Sequence, residues 1–426
     1  MTKQIVTIVF LFLWGLGLKA WAIDITQLLD AATRHPGGEV NVLAEQESAL
    51  RAEAATAALF PKIAAFGRAE IYNSPTNLRP LPPTEVNIPA GESIPFSREI
   101  LRYGLTLEAP VYVHKLYVLR EKLLLLAESA SLSRRISTVS REAAVVSLNS
   151  VYRYLASLDQ AIAGRLDSLS STRESTALKV KTGRLPEAEL IKIETSLNDL
   201  EQQRNDIRAK MLDTRTSITK LTGITLEEPV PMAEKAEITP DALVEVQKWR
   251  KEVAAAEKEV LARRAARYPT LWAYGAVSGN DGTAYNTNDH IYRSYNFAAL
   301  VLRFPLFDRT LTADEEIARV QLKKARKQLE DIQLELTSLE ANLREKLPIV
   351  DRSRRLAEKS VQNDEQLLAI AKVAYDSGRM TIEEYLRYES QVLASQAALN
   401  KAVDDRWQVV ARQAVLYGAD LRGVVQ

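Results

Sequence analysis

The chain has 426 residues, of which 46% are apolar and 26% are charged, as is ordinary for a folded protein. Its formal net charge of +1 leaves no basic excess to neutralise phosphates, which argues against a nucleic-acid-binding surface. It contains no cysteine, so disulfides and thiolate metal sites are excluded.

The first 22 residues have the pattern of a signal peptide. Lys3 supplies a basic start, residues 5–18 are apolar but too few for a convincing membrane span, and Ala20-Trp21-Ala22 fits a small-x-small cleavage site. We therefore expect a mature chain beginning at Ile23, with an uncleaved N-terminal anchor as the alternative. No later stretch is apolar enough for a transmembrane helix, so entry into a membrane would require strands.

Four short stretches alternate between apolar and polar residues and predict β-strands. They come in two pairs, 62–72 with 100–109 and 270–278 with 296–304. Strands of about ten residues cross a membrane when tilted, although two ordinary hairpins on a soluble domain are the alternative. Aromatic residues lie near the strand ends, where an interfacial girdle would be: Tyr72, Tyr103, Tyr112, Tyr292, Tyr295, Phe304 and Phe307.

The stretch 113–222 predicts a long helical hairpin with its turn at residues 182–186. Apolar residues recur every three or four positions in the return arm, from Leu190 to Leu221, which is the seam of a coiled coil. A descending helix of roughly 66 residues would be about 100 Å long. Such a helix suits a long coiled coil or a tube rather than a compact domain.

The two halves of the chain repeat each other. At an offset of 195, Gly183-Arg184-Leu185 aligns with Gly378-Arg379-Met380, and Pro110 aligns with Pro305. This divides the chain into a first repeat, a linker, a second repeat and a short C-terminal tail, at residues 23–223, 224–238, 239–418 and 419–426. In each repeat we expect a helix, a strand pair and a long hairpin, the second hairpin spanning 308–417.

These landmarks, in this order and spacing, resemble the TolC-type outer-membrane efflux protein family over nearly all of the mature chain. The resemblance implies a mostly α fold with a small membrane β portion, in which coiled-coil hairpins and four transmembrane β-strands per subunit build a trimeric α/β barrel. Four strands are too few to close a barrel alone. Pro110 and Pro305 would mark the junctions between the barrel and the helices.

The resemblance also assigns the two glycine turns to the periplasmic tip, where an adaptor would dock. The positions concerned are Thr182, Gly183, Arg184, Leu185, Ser377, Gly378, Arg379 and Met380. Glu189 and Glu384 match the acidic residues of the family's periplasmic aperture. One turn further on this chain has Lys192 and Arg387, so we expect salt bridges rather than a second acidic ring; a solvated helix face is the alternative for the glutamates.

The expected function is therefore an outer-membrane channel of a Gram-negative tripartite efflux or type I secretion system. It would be a homotrimeric passive duct that contacts outer-membrane lipid, a periplasmic membrane fusion (adaptor) protein and an inner-membrane pump. We expect no enzymatic activity and no cofactor, and the three scattered histidines predict no metal site. The alternatives are a periplasmic adaptor-type coiled-coil protein without a pore and a structural coiled coil, and no residue pattern predicts the cargo.

Overall fold

A computed structural model describes residues 23–83 and 88–426. The signal peptide predicted over residues 1–22 lies outside the described residues. The chain divides into two compact units. Of the described residues, the helical unit contains 23–41 together with Arg135–Val244 and Glu335–Gln426, and the sheet unit contains those of Val42–Arg134 and Glu245–Leu334.

The described residues form seven α-helices, four strands and one 3-10 turn. In chain order the elements are α1 Ile25–Arg34, α2 Pro36–Ala57, β1 Lys62–Asn77, β2 Phe96–Tyr112, α3 His114–Lys181, α4 Glu187–Thr222, α5 Val244–Ala265, β3 Thr270–Thr283, β4 His290–Arg303, α6 Arg309–Asp376, α7 Ile382–Tyr417 and a 3-10 turn at Leu421–Gly423. The expectation of a mostly helical chain with a small β portion is confirmed.

The offset of 195 relates the helices of the two hairpins residue by residue. Helices α3 and α6 both have 68 residues, α4 and α7 both have 36, and every start and end differs by 195 positions. Both return helices end at a left-handed glycine, Gly223 at φ 73° and Gly418 at φ 67°. Helix α6 continues through Pro348, although proline removes one backbone donor from the helix.

The sheet unit contains one antiparallel sheet of strand order β1-β2-β3-β4. The strands have 14 to 17 residues and are longer than predicted, because pairing continues into the segments we had assigned to loops, as in Thr76 with Ser97 and Asn77 with Phe96. Pro110 lies inside β2, opposite Trp272, and not at a helix start. Proline is tolerated there because pairing with β1 stops at Glu108, which leaves that side of β2 without a ladder.

The largest apolar core of the helical unit contains α1, the middle of α3, parts of α4 and α7, and the extended chain after Gly223. Leu226 and Val230 are buried in it. So are Leu421, Val424 and Val425 of the segment predicted to be a simple tail. Val425 also forms a β-bridge with Glu234, so the C-terminal segment is part of the folded core.

Helices α1 and α2 are separated at His35. One helix boundary differs from the sequence interpretation. Helix α5 begins at Val244, five residues after the start we predicted at Thr239. Asp241 accepts a hydrogen bond from the N–H of the adjacent Ala242 (2.7 Å), which is a local turn contact and not a helix cap.

Candidate functional site

The two hairpin turns have the same backbone geometry. Gly183 and Gly378 adopt φ values of 71° and 73°, in the left-handed region that favours glycine. Gly183 N–H donates to the carbonyl of Val180 (2.9 Å) and Arg184 N–H to that of Lys179 (2.8 Å), and the corresponding bonds are present at Gly378 and Arg379. This pair of bonds is the Schellman motif that ends a helix.

The predicted tip residues surround these turns at the surface. Thr182, Gly183, Arg184, Ser377, Gly378 and Arg379 are exposed, and the two corresponding apolar residues, Leu185 and Met380, are half-buried. Each tip therefore presents one arginine and one partly covered apolar side chain. This is a combination suited to contact with another protein.

The two tips are not level. The hydroxyls of Thr176 and Tyr375 form a hydrogen bond of 2.8 Å. Thr176 is seven residues before Gly183, whereas Tyr375 is only three residues before Gly378. Lys192, nine residues after Gly183, pairs with Glu383, which is five residues after Gly378. Both contacts give a stagger of four residues, so the first tip extends about 6 Å further along the hairpin axis than the second.

Near the tips, Lys192 joins two acidic residues of different helices. Its Nζ lies 3.0 Å from Glu383 of α7 and 3.8 Å from Glu189 of its own helix. The hydrogen bond to Glu383 raises the pKa of Lys192, and the charges of both glutamates act in the same direction. Slight desolvation opposes the increase. The predicted salt bridge at this position is therefore present in the structure, and it involves Glu383.

Glu384 caps the start of its own helix. Its carboxylate accepts from the N–H and the hydroxyl of Thr381 (both 3.0 Å), completing a capping box at the start of α7. These bonds lower its pKa. Arg387 lies with its guanidinium 5.9 Å from the centroid of the Tyr388 ring. The motif Thr381-x-x-Glu384 is a sequence signature of this cap.

Sequence reasoning missed a buried polar cluster that joins α3 to α7. Glu389 accepts from Tyr385 (2.7 Å) and Ser168 (3.0 Å), and Arg165 lies 4.0 Å from it. Burial, together with the hydrogen bond to Glu389, raises the pKa of Tyr385 to about 12. The spacing of Tyr385 and Glu389 places both on one helix face, but nothing in the sequence shows that this face is buried.

The sheet has two chemically different faces. Side chains at directly paired positions share a face, and one face is predominantly apolar: Ile63, Ala65, Ile71, Leu101, Leu105, Leu107, Val277, Leu300 and Leu302. We call it the apolar face. Several of its side chains are largely exposed in the single chain, including Ile71 at 83% and Leu300 at 70%. The opposite face contains Arg68, Arg102 and Arg293, and we call it the arginine face.

The fold is that of known outer-membrane channels. The chain superimposes on the CmeC outer membrane channel of Campylobacter jejuni with a TM-score of 0.76 and 14% identity, covering 92% of this chain and 85% of CmeC. For VceC of Vibrio cholerae the TM-score is 0.76 and the identity 14%, covering 92% of this chain and 96% of VceC. For the open-state MtrE channel of Neisseria gonorrhoeae the TM-score is 0.73 and the identity 16%, covering 92% of this chain and 88% of MtrE.

At sequence level, residues 244–419 match the family model described as outer membrane efflux protein. The chain is thus a protein of the TolC-type outer-membrane channel fold, and its second repeat contains an outer membrane efflux protein domain, which confirms the resemblance drawn from the residues. The solved structures that share this fold are described as outer-membrane channels. A search of curated proteins finds no match.

The structure also bears on the membrane and metal predictions. Among the described helices, none is both long enough and apolar enough to cross a membrane. Within residues 23–83 and 88–426, no group of three or more histidine or acidic side chains is arranged to hold a metal ion.

Proposed function

We propose that this protein is the outer-membrane channel of a tripartite efflux or type I secretion system. In this proposal three copies enclose a passive duct across the periplasm and the outer membrane of a Gram-negative cell. An inner-membrane pump supplies the energy, and a periplasmic adaptor that contacts the hairpin tips opens the duct.

The main support for the proposal is the exposure of one face and both edges of the sheet. The sheet exposes an apolar face, and within the described residues its outer strands β1 and β4 each have a neighbour on one side only. Exposed strand edges recruit further strands, and an exposed apolar face is covered by lipid or protein. Association of copies through these edges, with the apolar faces towards lipid, satisfies both requirements.

A second surface supports self-association. Ile349, Leu356 and Ile370 of α6 recur at multiples of seven residues and are 63%, 59% and 67% exposed. Heptad spacing keeps such residues on one side of a helix, which is the arrangement of a coiled-coil seam. The seam has no cover in the single chain, and a neighbouring copy would provide it.

The test of channel function combines fractionation with conductance. We expect the full-length protein in the outer-membrane fraction, extractable only with detergent, and forming stable single channels in planar bilayers. A protein that is released without detergent and never conducts would contradict the proposal and favour the pore-free adaptor interpretation.

Adaptor contact is tested separately by crosslinking, which the absence of cysteine makes simple. Ser377→Cys at the second tip should form crosslinks with the adaptor in intact cells. Gln202→Cys, an exposed position on α4 away from the tips, is the matched control. Equal crosslinking from the two positions would argue against docking at the tips.

A further inference from the structure

The two most exposed large apolar side chains of the described residues are neighbours in the chain, at the point where the sheet leads into α6. Leu306 is 87% exposed and Phe307 is 86% exposed. They lie between Arg303, the last paired residue of β4, and Arg309, the first residue of α6. A contiguous exposed apolar surface of this kind marks a contact with a membrane or with another protein.

The pair continues the apolar face of the sheet. Leu300 and Leu302 belong to that face, and the same two-residue spacing leads to Phe304 and Leu306 beyond the end of the ladder. Phe304 is exposed as well. In the proposed function the apolar face meets lipid, so its continuation lies at the level where the strands leave the membrane.

The first repeat has the same arrangement at the same end of the sheet. Val111 and Tyr112 align with the exposed pair at the offset of 195, and both are exposed. Strands β2 and β4 both pair with β3 in the antiparallel sense, so they are parallel to each other and end about 10 Å apart. Lys115 follows in the first turn of α3. We call residues 111–115 and 304–309 the collar.

Basic residues outnumber acidic ones at this end of the sheet. The strand ends there, at residues 60–62, 108–115, 267–270 and 303–309, contain five basic and two acidic residues: Lys62, Lys115, Arg267, Arg303 and Arg309, with Glu108 and Asp308. Glu315, which lies 2.8 Å from Arg267, is a third acidic residue, so the net charge is +2 per chain. In the collar, Lys115 and Arg309 are exposed and form no ion pair with any residue of 23–83 or 88–426.

A neighbouring copy would not provide the missing negative charge. In the association proposed above, β4 of one copy meets β1 of the next. Residues 58–67, where β1 begins, contain Lys62 as their one charged residue. That copy would bring another positive charge towards Arg309 and leave both unpaired. A phospholipid with an anionic head group offers acyl chains to the apolar pair and phosphate oxygens to the basic side chains.

We propose that the collar binds anionic phospholipid of the periplasmic leaflet. The inference rests on the proposed function, because that function places the helix end of the sheet at the periplasmic surface of the membrane. Leu306 and Phe307 insert at the boundary of the acyl chains, where apolar and aromatic side chains are stable. Lys115 and Arg309 reach the head groups, and each basic residue near an anionic surface favours binding.

The first test is the lipid that the full-length protein retains. The protein is reconstituted in vesicles of equal parts phosphatidylglycerol and phosphatidylcholine and extracted again with mild detergent, and the retained lipids are measured by mass spectrometry. We expect phosphatidylglycerol to be enriched by about twofold or more over the vesicles. Arg309→Gln should lower the enrichment, and the double variant Lys115→Gln/Arg309→Gln should abolish it.

Lys324→Gln is the matched control. Lys324 is an exposed residue of the same helix, about 22 Å beyond Arg309, so its loss removes an equal charge but should leave the enrichment unchanged. A wild-type protein that conducts in these vesicles but retains the two lipids in equal amounts would overturn this inference and leave the channel intact. A wild-type protein that never enters vesicles would remove the proposed function and this inference together.

The second test asks what covers the apolar pair. Phe307→Cys introduces the single cysteine of the chain, which is labelled with a nitroxide. In channels that still conduct, relaxation of the label should be enhanced more by oxygen, which dissolves in lipid, than by a water-soluble nickel complex. A label shielded from both reagents would show that a neighbouring copy covers the pair, and a label more accessible to nickel would show that the pair lies in water. Either result would overturn the lipid contact.

Discussion

Arg165 of α3 and Glu389 of α7 lie 4.0 Å apart, with 7% and 5% of their side chains exposed. The pair joins the first hairpin to the second in the interior of the helical unit. Arg165 also donates to Ser390 (3.0 Å), and Glu389 accepts from Tyr385 and Ser168, so each charge has further polar partners. Two charges buried in this way depend on each other, because removal of either leaves the other without compensation.

Glu389→Ala should therefore be strongly destabilising. Breaking a buried pair by removing one partner costs about 3–5 kcal/mol, whereas an exposed helical pair contributes about 0.3–0.5 kcal/mol. The measurement is chemical or thermal unfolding of the detergent-solubilised protein. Glu358→Ala, which breaks the exposed pair with Arg354, is the control. The double variant Arg165→Met/Glu389→Met should recover part of the loss, and equal effects of the two single alanine variants would contradict this account.

Lys192→Gln should make the tip region more attractive to cations. The substitution leaves Glu189 and Glu383 without the ammonium group that now lies between them. We expect the reversal potential of single channels in a KCl gradient to shift towards potassium, by more at low ionic strength because salt screens exposed charges. Arg184→Gln, which removes an exposed tip charge with no ion pair assigned to it, is the comparison; an equal shift in both variants would show that the Lys192 contacts are irrelevant.

Glu142 should make the stability of the helical unit depend on pH. It is 1% exposed and accepts from the N–H of Leu421 (3.1 Å). Burial raises its pKa from 4.5 to about 7, despite that bond and the guanidinium of Arg422 at 3.0 Å. The folded state therefore keeps a proton that the unfolded state has lost, so stability falls as pH rises from about 4.5 to about 7. The cost above pH 7 is at most about 3 kcal/mol.

Glu142→Gln removes this ionisation while keeping an acceptor for Leu421. Between pH 5 and pH 8 the melting temperature of the variant should fall by less than that of the wild type. At pH 8 the variant should be the more stable of the two. Glu228→Gln, at an exposed position of the linker, should follow the wild-type profile. Parallel profiles for wild type and Glu142→Gln would show that Glu142 is already ionised in the folded protein.

Leu356→Glu should weaken self-association without unfolding the chain. Leu356 is 59% exposed and is the middle residue of the α6 seam formed with Ile349 and Ile370. A carboxylate at this position remains solvated in a single copy but must be desolvated at a helix–helix seam. Light scattering of the protein in detergent should show a loss of trimer in favour of monomer. Glu358→Gln on the same helix should leave the trimer intact.

The repeated pattern explains why much of the fold was predictable. Apolar spacing identifies the seam of α4, where Ile193, Leu200 and Ile218 are buried, and alternation identifies all four strands. Arg204 is a charged residue in the α4 seam, and its Nε lies 2.9 Å from the carboxylate of Asp159 on α3. An ion-pair partner on another helix cannot be predicted from the spacing of residues. The burial of Leu421 and Val425 was missed for a similar reason, since the eight residues of the C-terminal tail are too few to show a period.

The candidate site was predictable in position more than in detail. Glycine at positions 183 and 378 indicates the two turns, because only such residues adopt positive φ without strain. Which carboxylate meets Lys192 depends on the stagger of the tips, which follows from three-dimensional packing. The arginine face depends on strand register, and the register between β2 and β3, which are separated by a long helical hairpin, leaves no local signal in the sequence.

The matched lengths of the hairpin arms restrict which insertions and deletions the protein can tolerate. Deleting one residue from α4 would rotate everything beyond it by about 100° and shift it by about 1.5 Å, turning buried seam residues such as Ile218 away from α3. Residue changes in the arms are therefore tolerated where insertions and deletions are not. Length variation, and any epitope or fluorophore inserted by an experimenter, belongs in segments outside the arms, such as the turn at residues 284–289 between β3 and β4.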